Sequence, residues 1–366
     1  MALTLAQAKV GMANKVDEFV IDLFQRKSRL LDLMVFDDAI SPQGGSTLSY
    51  SYEQELTPSV AAGRAINNDY TPGEAIRTLK TTNLKVIGGS YQLDRVIINT
   101  PSKRLDEVSY QTKKKVEAVV NLFHQLFING NATANALEFD GLDQLLWQTD
   151  TELKEGVLDI ASMTADEAQQ LINDIDLAIA KMVRKPDVMI CNSFMKVKIK
   201  EAAHRIGYYS RAENALGTFS DFYDNTIEIV DLGQFYDGTY GLQDIVKVRS
   251  AAEYRVVEVT ADTFVTDGSL YTESSGTYTA VTTGSYNSAT TYYKLVGRAG
   301  STDIFFACLG QEEVCGLSPE GNKIVNVYNP NFASADAVLK GAVEAVWGLA
   351  VKNSKAAAVI RDIKVK

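Results

Sequence analysis

Residues 121–146, NLFHQLFINGNATANALEFDGLDQLL, change character twice. Apolar side chains recur at helical spacing as far as Ile128. Asn129-Gly130 breaks that pattern, an Asn-rich spacer follows, and Phe139-Asp140-Gly141-Leu142 restarts an apolar run. Asn and Gly both tolerate the left-handed backbone that closes a helix C-terminus. The stretch therefore reads as the stop of a long helix followed by a turn that re-anchors the chain in another unit. Asn129, Gly130, Asp140 and Gly141 are its structural hinge. Asn131-Ala132-Thr133 also fits the N-glycosylation acceptor pattern. That pattern matters only on a secretory route. The N-terminus lacks the continuous apolar core of a signal peptide, and the apolar run 116–128 is interrupted by Asn121, His124 and Gln125. Neither signal-directed export nor a membrane span is expected, so the match is read as coincidence.

Upstream of the break, Thr100 is the expected N-cap and Pro101 the first helical residue, where a missing N–H costs nothing. Leu105, Val108, Val116, Val119, Val120, Phe123 and Phe127 form the apolar face. About 28 residues at the standard rise span roughly 42 Å. Before this helix, Leu48, Tyr50 and Tyr52 alternate with Ser49, Ser51 and Glu53, and a second extended run covers about 76–98, with Gly88-Gly89 expected to form a bulge or bend. The residues between are turn-rich and polar: Pro58, Gly63, Arg64, Asn67, Asn68, Asp69, Pro72 and Gly73. Together they predict a long two-stranded excursion, a structure that is marginal in water unless it lies on something else. A second copy of the chain is the economical candidate. The first 30 or so residues form an amphipathic arm behind Thr4-x-x-Gln7, and its stripe includes Val16, Phe19, Val20 and Leu23. The stripe suits either the chain's own core or a neighbouring subunit.

Downstream, Thr164-x-x-Glu167 is a capping box opening a helix that carries Ala168, Leu171, Ile172, Ile175, Ile179 and Val183 on one face. DVMIC (187–191), TIEIVDL (226–232) and DIFFACL (303–309) read as core strands, and Asn192 or Ser193 caps a third helix. Val343, Ala345, Trp347, Leu349 and Val351 alternate on one face of a strand, and VIRDIKV (359–365) closes the chain. Residues 251–298 turn abruptly to Thr, Ser, Gly and Tyr, as an inserted β-rich module would. A faint repeat at an offset of 22 matches Phe264 to Tyr286 and Tyr271 to Tyr293. The fold class is α+β.

The chain is long enough, at 366 residues, for two or three units, and its 46% hydrophobic and 22% charged residues are those of an ordered globular protein. A net charge of -10 argues against a principal task of gripping nucleic acid. Three cysteines, Cys191, Cys308 and Cys315, form no Cys-x-x-Cys pair, so no zinc site and a reduced compartment are expected. The two histidines, His124 and His204, lack a metal-binding partner at helical spacing. There is no Gly-x-Ser-x-Gly elbow, and KVIGGSY lacks the spacing of a phosphate loop. Lys113, Lys114 and Lys115 fan over roughly 200° of helix, which suits a solvated face better than a phosphate-tracking stripe. No catalytic, metal or cofactor-binding residue is expected.

The order of elements resembles the major capsid proteins of tailed phages with the Hong Kong 97 fold. TPGEAIRTLKTTNLKVIGGSYQLDRVI looks like an arm of that family's extended loop, NLFHQLFING with EFDGLDQLL like the end of its spine helix, and KPDVMICN like the opening of its axial domain. WGLAVKNSKAAAVIRDI is similar to its final peripheral strand. The resemblance implies an arm at 1–35, an extended loop at 36–99, a spine helix and peripheral domain at 100–186 with 340–366, and an axial domain at 187–339 that carries the 251–298 insertion. It implies a shell subunit forming hexamers and pentamers around packaged dsDNA, which it contacts weakly. The arm (Val16, Phe19, Val20, Leu23) and the loop tip (Arg64, Asn68, Asp69, Tyr70) would touch neighbours. A virion component assembled in the bacterial cytoplasm follows, with a portal, and with a decoration protein or host surface for the insertion. Because the arm starts at Met1, a separate scaffolding protein or unaided assembly is expected. A nanocompartment shell of the encapsulin kind is the alternative within this fold, and an enzyme with a scattered site is the alternative outside it.

Overall fold

The computed structural model describes residues 28–38, 48–57, 59–70, 72–99, 107–153, 158–206, 222–223, 226–238, 241–250, 253–259, 261, 264–274, 277–319, 325–331 and 336–366. The expected arm contacts at Val16, Phe19, Val20 and Leu23, and the cap at Thr100-Pro101, lie outside these residues.

One long strand, Val338–Val351, organises the centre of the molecule. It pairs antiparallel with Lys85–Asp94 over ten residues, with Asn326–Tyr328 on its other edge, and with Val314–Ser318 at its C-terminal end; Phe36–Asp38 extends the sheet parallel to Val314–Ser318. The expected alternation holds: Val343, Ala345, Trp347, Leu349 and Val351 are all buried. The helix Glu107–Asn129 lies across this sheet and buries Val119, Phe123, Leu126 and Phe127. Phe123 meets the edge of Trp347 with ring centroids 4.7 Å apart, and Phe36, Phe127 and Phe139 surround Phe123 at 6.1–6.2 Å. Edge-to-face pairs of this kind contribute beyond their buried area, about 0.5–1.5 kcal/mol each.

A six-stranded mixed sheet forms the second layer, in the order Glu152–Leu153, Ala357–Lys364, Ser301–Ala307, Val188–Ile190, Ile227–Val230, Phe222–Tyr223. Every residue of Ser301–Ala307 and all but the last of Ala357–Lys364 are buried, the mark of strands covered on both faces. Helices Ala165–Lys181 and Ser193–Ile206 pack with this layer, the first opened by the complete Thr164–Glu167 capping box and the second by Asn192, whose Oδ1 accepts from Met195 N at 2.8 Å. The last strand pairs with Ser301–Ala307 and not with the long strand. Its uninterrupted apolar run needs cover on both faces, whereas Val338–Val351 leaves Lys340 and Glu344 on an open face.

Residues 254–297 make a sheet of their own, ordered Tyr254–Val259, Tyr292–Gly297, Leu270–Ser274, Thr277–Ala280 and antiparallel throughout. It has a small core of Val259, Leu270 and Tyr292. The two residue pairs matched by the 22-residue repeat meet in space: Tyr271 sits opposite Tyr293 in register, and the rings of Phe264 and Tyr286 lie 5.9 Å apart.

Candidate assembly interface

The extended excursion is built as expected, with a different base. Ser49–Thr57 pairs antiparallel with Ile76–Asn83, shifting register between Glu55 and Thr57. After Leu84 the chain joins the central sheet, and Lys85–Asp94 runs in unbroken register against Val338–Val351. Gly88-Gly89 therefore forms no bulge. A Cβ on Gly88 would come 2.5 Å from the Val343 carbonyl oxygen, and one on Gly89 2.9 Å from the Lys115 side chain, so the glycines answer to close neighbours on the next strand and on the long helix.

At the root of the hairpin Tyr52 is buried against Leu84, Cys315, Leu317 and Ala350. Tyr50 Oη donates to Asp37 Oδ2 at 2.9 Å, and Lys352 donates to the same oxygen at 2.8 Å while lying over the Tyr50 ring. Burial, the largest single effect, would lower the Lys352 ammonium; its bonds to Asp37 and Tyr50 together with nearby charge outweigh that and hold it above the ordinary lysine range. Beyond the root the ribbon is open: Ile76 and Leu79 are exposed, and the Arg77–Glu53 pair at 2.8 Å is largely exposed. Such a pair contributes about 0–1 kcal/mol.

The tip is ordered by its own side chains. Arg64 donates to the Asn68 carbonyl at 3.1 Å and stacks over the Tyr70 ring at 5.2 Å, while Asn67 adopts φ 71°. This arrangement leaves Ile66 90% exposed, with Val60 and Tyr70 also open, and Asp69 beside them in the exposed class. The expected tip residues Arg64, Asn68, Asp69 and Tyr70 thus share one turn that presents an apolar surface.

At the end of the long helix, Gly130 N donates to the Leu126 carbonyl and Gly141 N to the Gly130 carbonyl, at 3.0 and 2.9 Å. A Cβ on Gly141 would lie 2.5 Å from Leu126 O and 2.6 Å from Ile128 O, and one on Gly130 would collide with the carbonyl oxygens of Phe139 and Leu126. Neither Asn129 nor Gly130 is left-handed, contrary to the sequence expectation. The glycines are there because two backbone segments touch. Asn129 Nδ2 donates to Ile245 O at 2.7 Å, Asp140 Oδ1 accepts from Ala132 N at 2.9 Å, and Asn131 Oδ1 accepts from Thr133 N and Ala134 N. The apparent sugar acceptor is a turn-forming side chain.

No family model matches the sequence, and no curated protein matches it. Solved structures match its fold along the whole chain. A subunit of the holo-SrpI encapsulin complex from Synechococcus elongatus PCC 7942 superposes with a TM-score of 0.56 at 14% identity, covering 100% of this chain and 98% of that one. The capsid of a native GTA particle gives 0.55 at 9% identity over 96% and 95%, and the capsid of Myoviridae phage XM1 gives 0.53 at 11% over 95% and 97%. The chain has the Hong Kong 97-like capsid fold.

Within this Hong Kong 97-like chain lies an ionic cluster that the sequence did not announce. Asp303, buried, accepts from Arg249 Nη1 at 2.8 Å, from Arg249 Nη2, and from the Asp362 backbone N–H at 2.9 Å. Asp362, at φ 61°, accepts from Arg298, and Arg361 pairs with Glu152 and Asp143. Burial alone would raise the Asp303 carboxyl, but the Arg249 hydrogen bonds and the charges of Arg249 and Arg361 hold it below the usual carboxylate range. Arg249 and Arg298 flank the inserted sheet, whose neck is closed by Arg298 N donating to Glu253 O and Gly300 N to Arg249 O, both at 2.9 Å. The available signal was positional: these two arginines stand at either side of the Thr/Tyr-rich stretch.

In the Hong Kong 97-like fold the residues weighed for chemistry have structural surroundings. Glu201 is engaged by Lys198 and Arg205 at 3.2 and 2.9 Å, and those bonds hold it below its usual range; His204 stands exposed on the same helix. His124 is buried with its Nε2 2.9 Å from Ser28 Oγ. Of the three lysines only Lys113 is exposed; Lys114 pairs with Glu117 at 3.0 Å and Lys115 lies against Gly89. Among the described residues no group of acidic, His or Cys side chains could hold a metal, and no helix is long and apolar enough to cross a membrane.

Proposed function

We propose that this chain is the major head protein of a tailed phage. It self-assembles into the hexamers and pentamers of an icosahedral shell around dsDNA, in the cytoplasm of a bacterial host, with a portal and a scaffolding protein as further partners. The observation that carries this reading is a two-stranded ribbon with apolar side chains exposed along it and at its tip, on a fold shared end to end with capsid and shell subunits. Exposed apolar surface on a marginal ribbon is favoured by self-association, and one interface repeated by symmetry closes a shell. The tip residues Arg64, Asn68, Asp69 and Tyr70 and the arm residues Val16, Phe19, Val20 and Leu23 take the neighbour contacts. The pinch at Asn129, Gly130, Asp140 and Gly141 sets how the long helix meets the next domain. The inserted sheet faces outward, toward a decoration protein or a host surface.

Electron microscopy of the purified chain, alone and with its scaffold, tests the proposal: closed icosahedral particles are expected, and a monomer under every assembly condition refutes it. The likeness to an encapsulin subunit over 100% of the chain supports a second reading, a shell around a cargo enzyme. Particles isolated from the native host separate the two, since the first reading requires packaged DNA and the second a co-purifying enzyme.

A further inference from the structure

The inserted sheet has two unlike faces. Strand alternation puts Val259, Leu270 and Tyr292 on one, where they form its small core, and Lys294 stands beside Leu270 on the same side. Register sets a different row across the other face: Tyr293 lies opposite Glu258 on one neighbouring strand and opposite Tyr271 on the next. Val256 and Leu295 oppose each other two residues along, and Glu273 follows Tyr271 on the far side of the row. This second face is open. Val256 and Leu295 are 44% and 39% exposed, both glutamates are exposed, and the two tyrosines are half-buried. A contiguous apolar and aromatic surface, on a sheet whose core lies on its other side, is surface for a partner.

The chemistry of the row selects a cation. Tyrosine rings attract ammonium and guanidinium groups over their faces. Glu258 and Glu273 add negative charge on two sides of the tyrosines, and among its described residues this face carries no lysine or arginine. An anionic polymer would be repelled. Three strands and three same-face rows span roughly 10 by 14 Å. That holds one or two side chains and falls well short of the about 800 Å² per partner of a stable interface. One site is therefore weak, and a shell that repeats it supplies the avidity.

We propose that this face docks a protein partner that presents an arginine or lysine to Tyr271 and Tyr293, with its aliphatic stem along Val256 and Leu295 and its charge toward Glu258. Between the two outward partners named above, it selects a basic decoration protein over an anionic surface. The inference rests on the shell reading for the repetition of the site, and on strand register for the site itself.

The test uses the full chain before assembly, so it does not depend on particles forming. Fluorescence anisotropy is measured for a labelled peptide that alternates arginine and leucine, and for the same peptide with glutamate in place of arginine; maltohexaose is added as a neutral glycan competitor. The arginine peptide should bind, more weakly as salt rises, while the glutamate peptide does not bind and maltohexaose displaces nothing. Glu258→Lys and Tyr271→Ala should each weaken binding about tenfold, and Tyr271→Phe, which keeps the ring, should stay within about threefold. Glu258→Lys changes an exposed side chain only, so it decides the matter if Tyr271→Ala lowers the urea midpoint. No binding of the arginine peptide, binding that Glu258→Lys leaves unchanged, binding of the glutamate peptide, or displacement by maltohexaose overturns the inference and leaves the shell reading standing. Failure of the chain to form particles overturns the shell reading and leaves the peptide result to stand by itself.

Discussion

Lys352 Nζ lies 2.8 Å from Asp37 Oδ2, joining the N-terminal strand of the central sheet to the end of its longest strand beneath the root of the hairpin. Each side chain is 17% exposed, so the pair is neither in free solvent nor sealed. Asp37→Ala would strand the ammonium and remove the acceptor of Tyr50. A loss of about 1–3 kcal/mol is expected, read as a lowered urea midpoint of the unassembled chain at neutral pH. Because Lys352 is held above its ordinary range, this stabilisation is complete at neutral pH and fades only as pH rises through the raised value.

His124 titrates in the opposite sense. Burial pushes its imidazole down to about 4, against about 6.5 in an unfolded chain. The unfolded state takes up a proton first as pH falls, so stability is full above 6.5 and declines toward 4, by about 3 kcal/mol across the window. His124→Leu should flatten this part of the profile relative to the unmodified chain, as read by urea titrations at pH 7, 5.5 and 4.5. Parallel profiles for the two proteins would refute the assignment.

Gly141→Ala tests the pinch after the long helix. The added Cβ meets two carbonyl oxygens at 2.5 and 2.6 Å, neither of which belongs to a movable side chain. A loss of about 1–3 kcal/mol or more is expected from overpacking. Asn131→Ser, which alters only exposed side-chain bonds to Thr133 N, Ala134 N and Gln144, should change the thermal midpoint far less.

How well each of these positions could be read in the sequence depended on how far away its cause lies. The Thr164–Glu167 capping box was legible because both of its hydrogen bonds are made within four residues. The alternation from Val343 to Val351 was legible because a strand with one covered face writes its burial at every second residue. Gly88-Gly89 and Gly130 were recognised as special but explained wrongly. Their constraints come from Val343, Lys115 and Phe139, contacts that no local pattern encodes. Likewise the tip residues were marked by turn chemistry, whereas Glu258, Tyr271 and Tyr293 meet only through the register of three strands.

The ionic cluster sharpens where the inserted sheet can be cut. Removing 251–298 takes Arg298 away from Asp362, leaving a buried carboxylate with one fewer partner. Loss of a buried partner of this kind costs about 3–5 kcal/mol. Removing only 254–297 and joining Glu253 to Arg298 through a short turn keeps that pair and the neck hydrogen bond at 2.9 Å. The shorter excision should yield particles by electron microscopy with a urea midpoint near that of the full chain, and the longer one a lowered midpoint.

Trp347 is fully buried, with its Nε1 unbonded, edge-on to Phe123 of the long helix, while the other tryptophan, Trp147, is half exposed. The molecule therefore carries a built-in optical gauge at the contact between its longest helix and its longest strand. Blue-shifted emission from the buried indole should report any bend or slide of that helix, in real time and without a label.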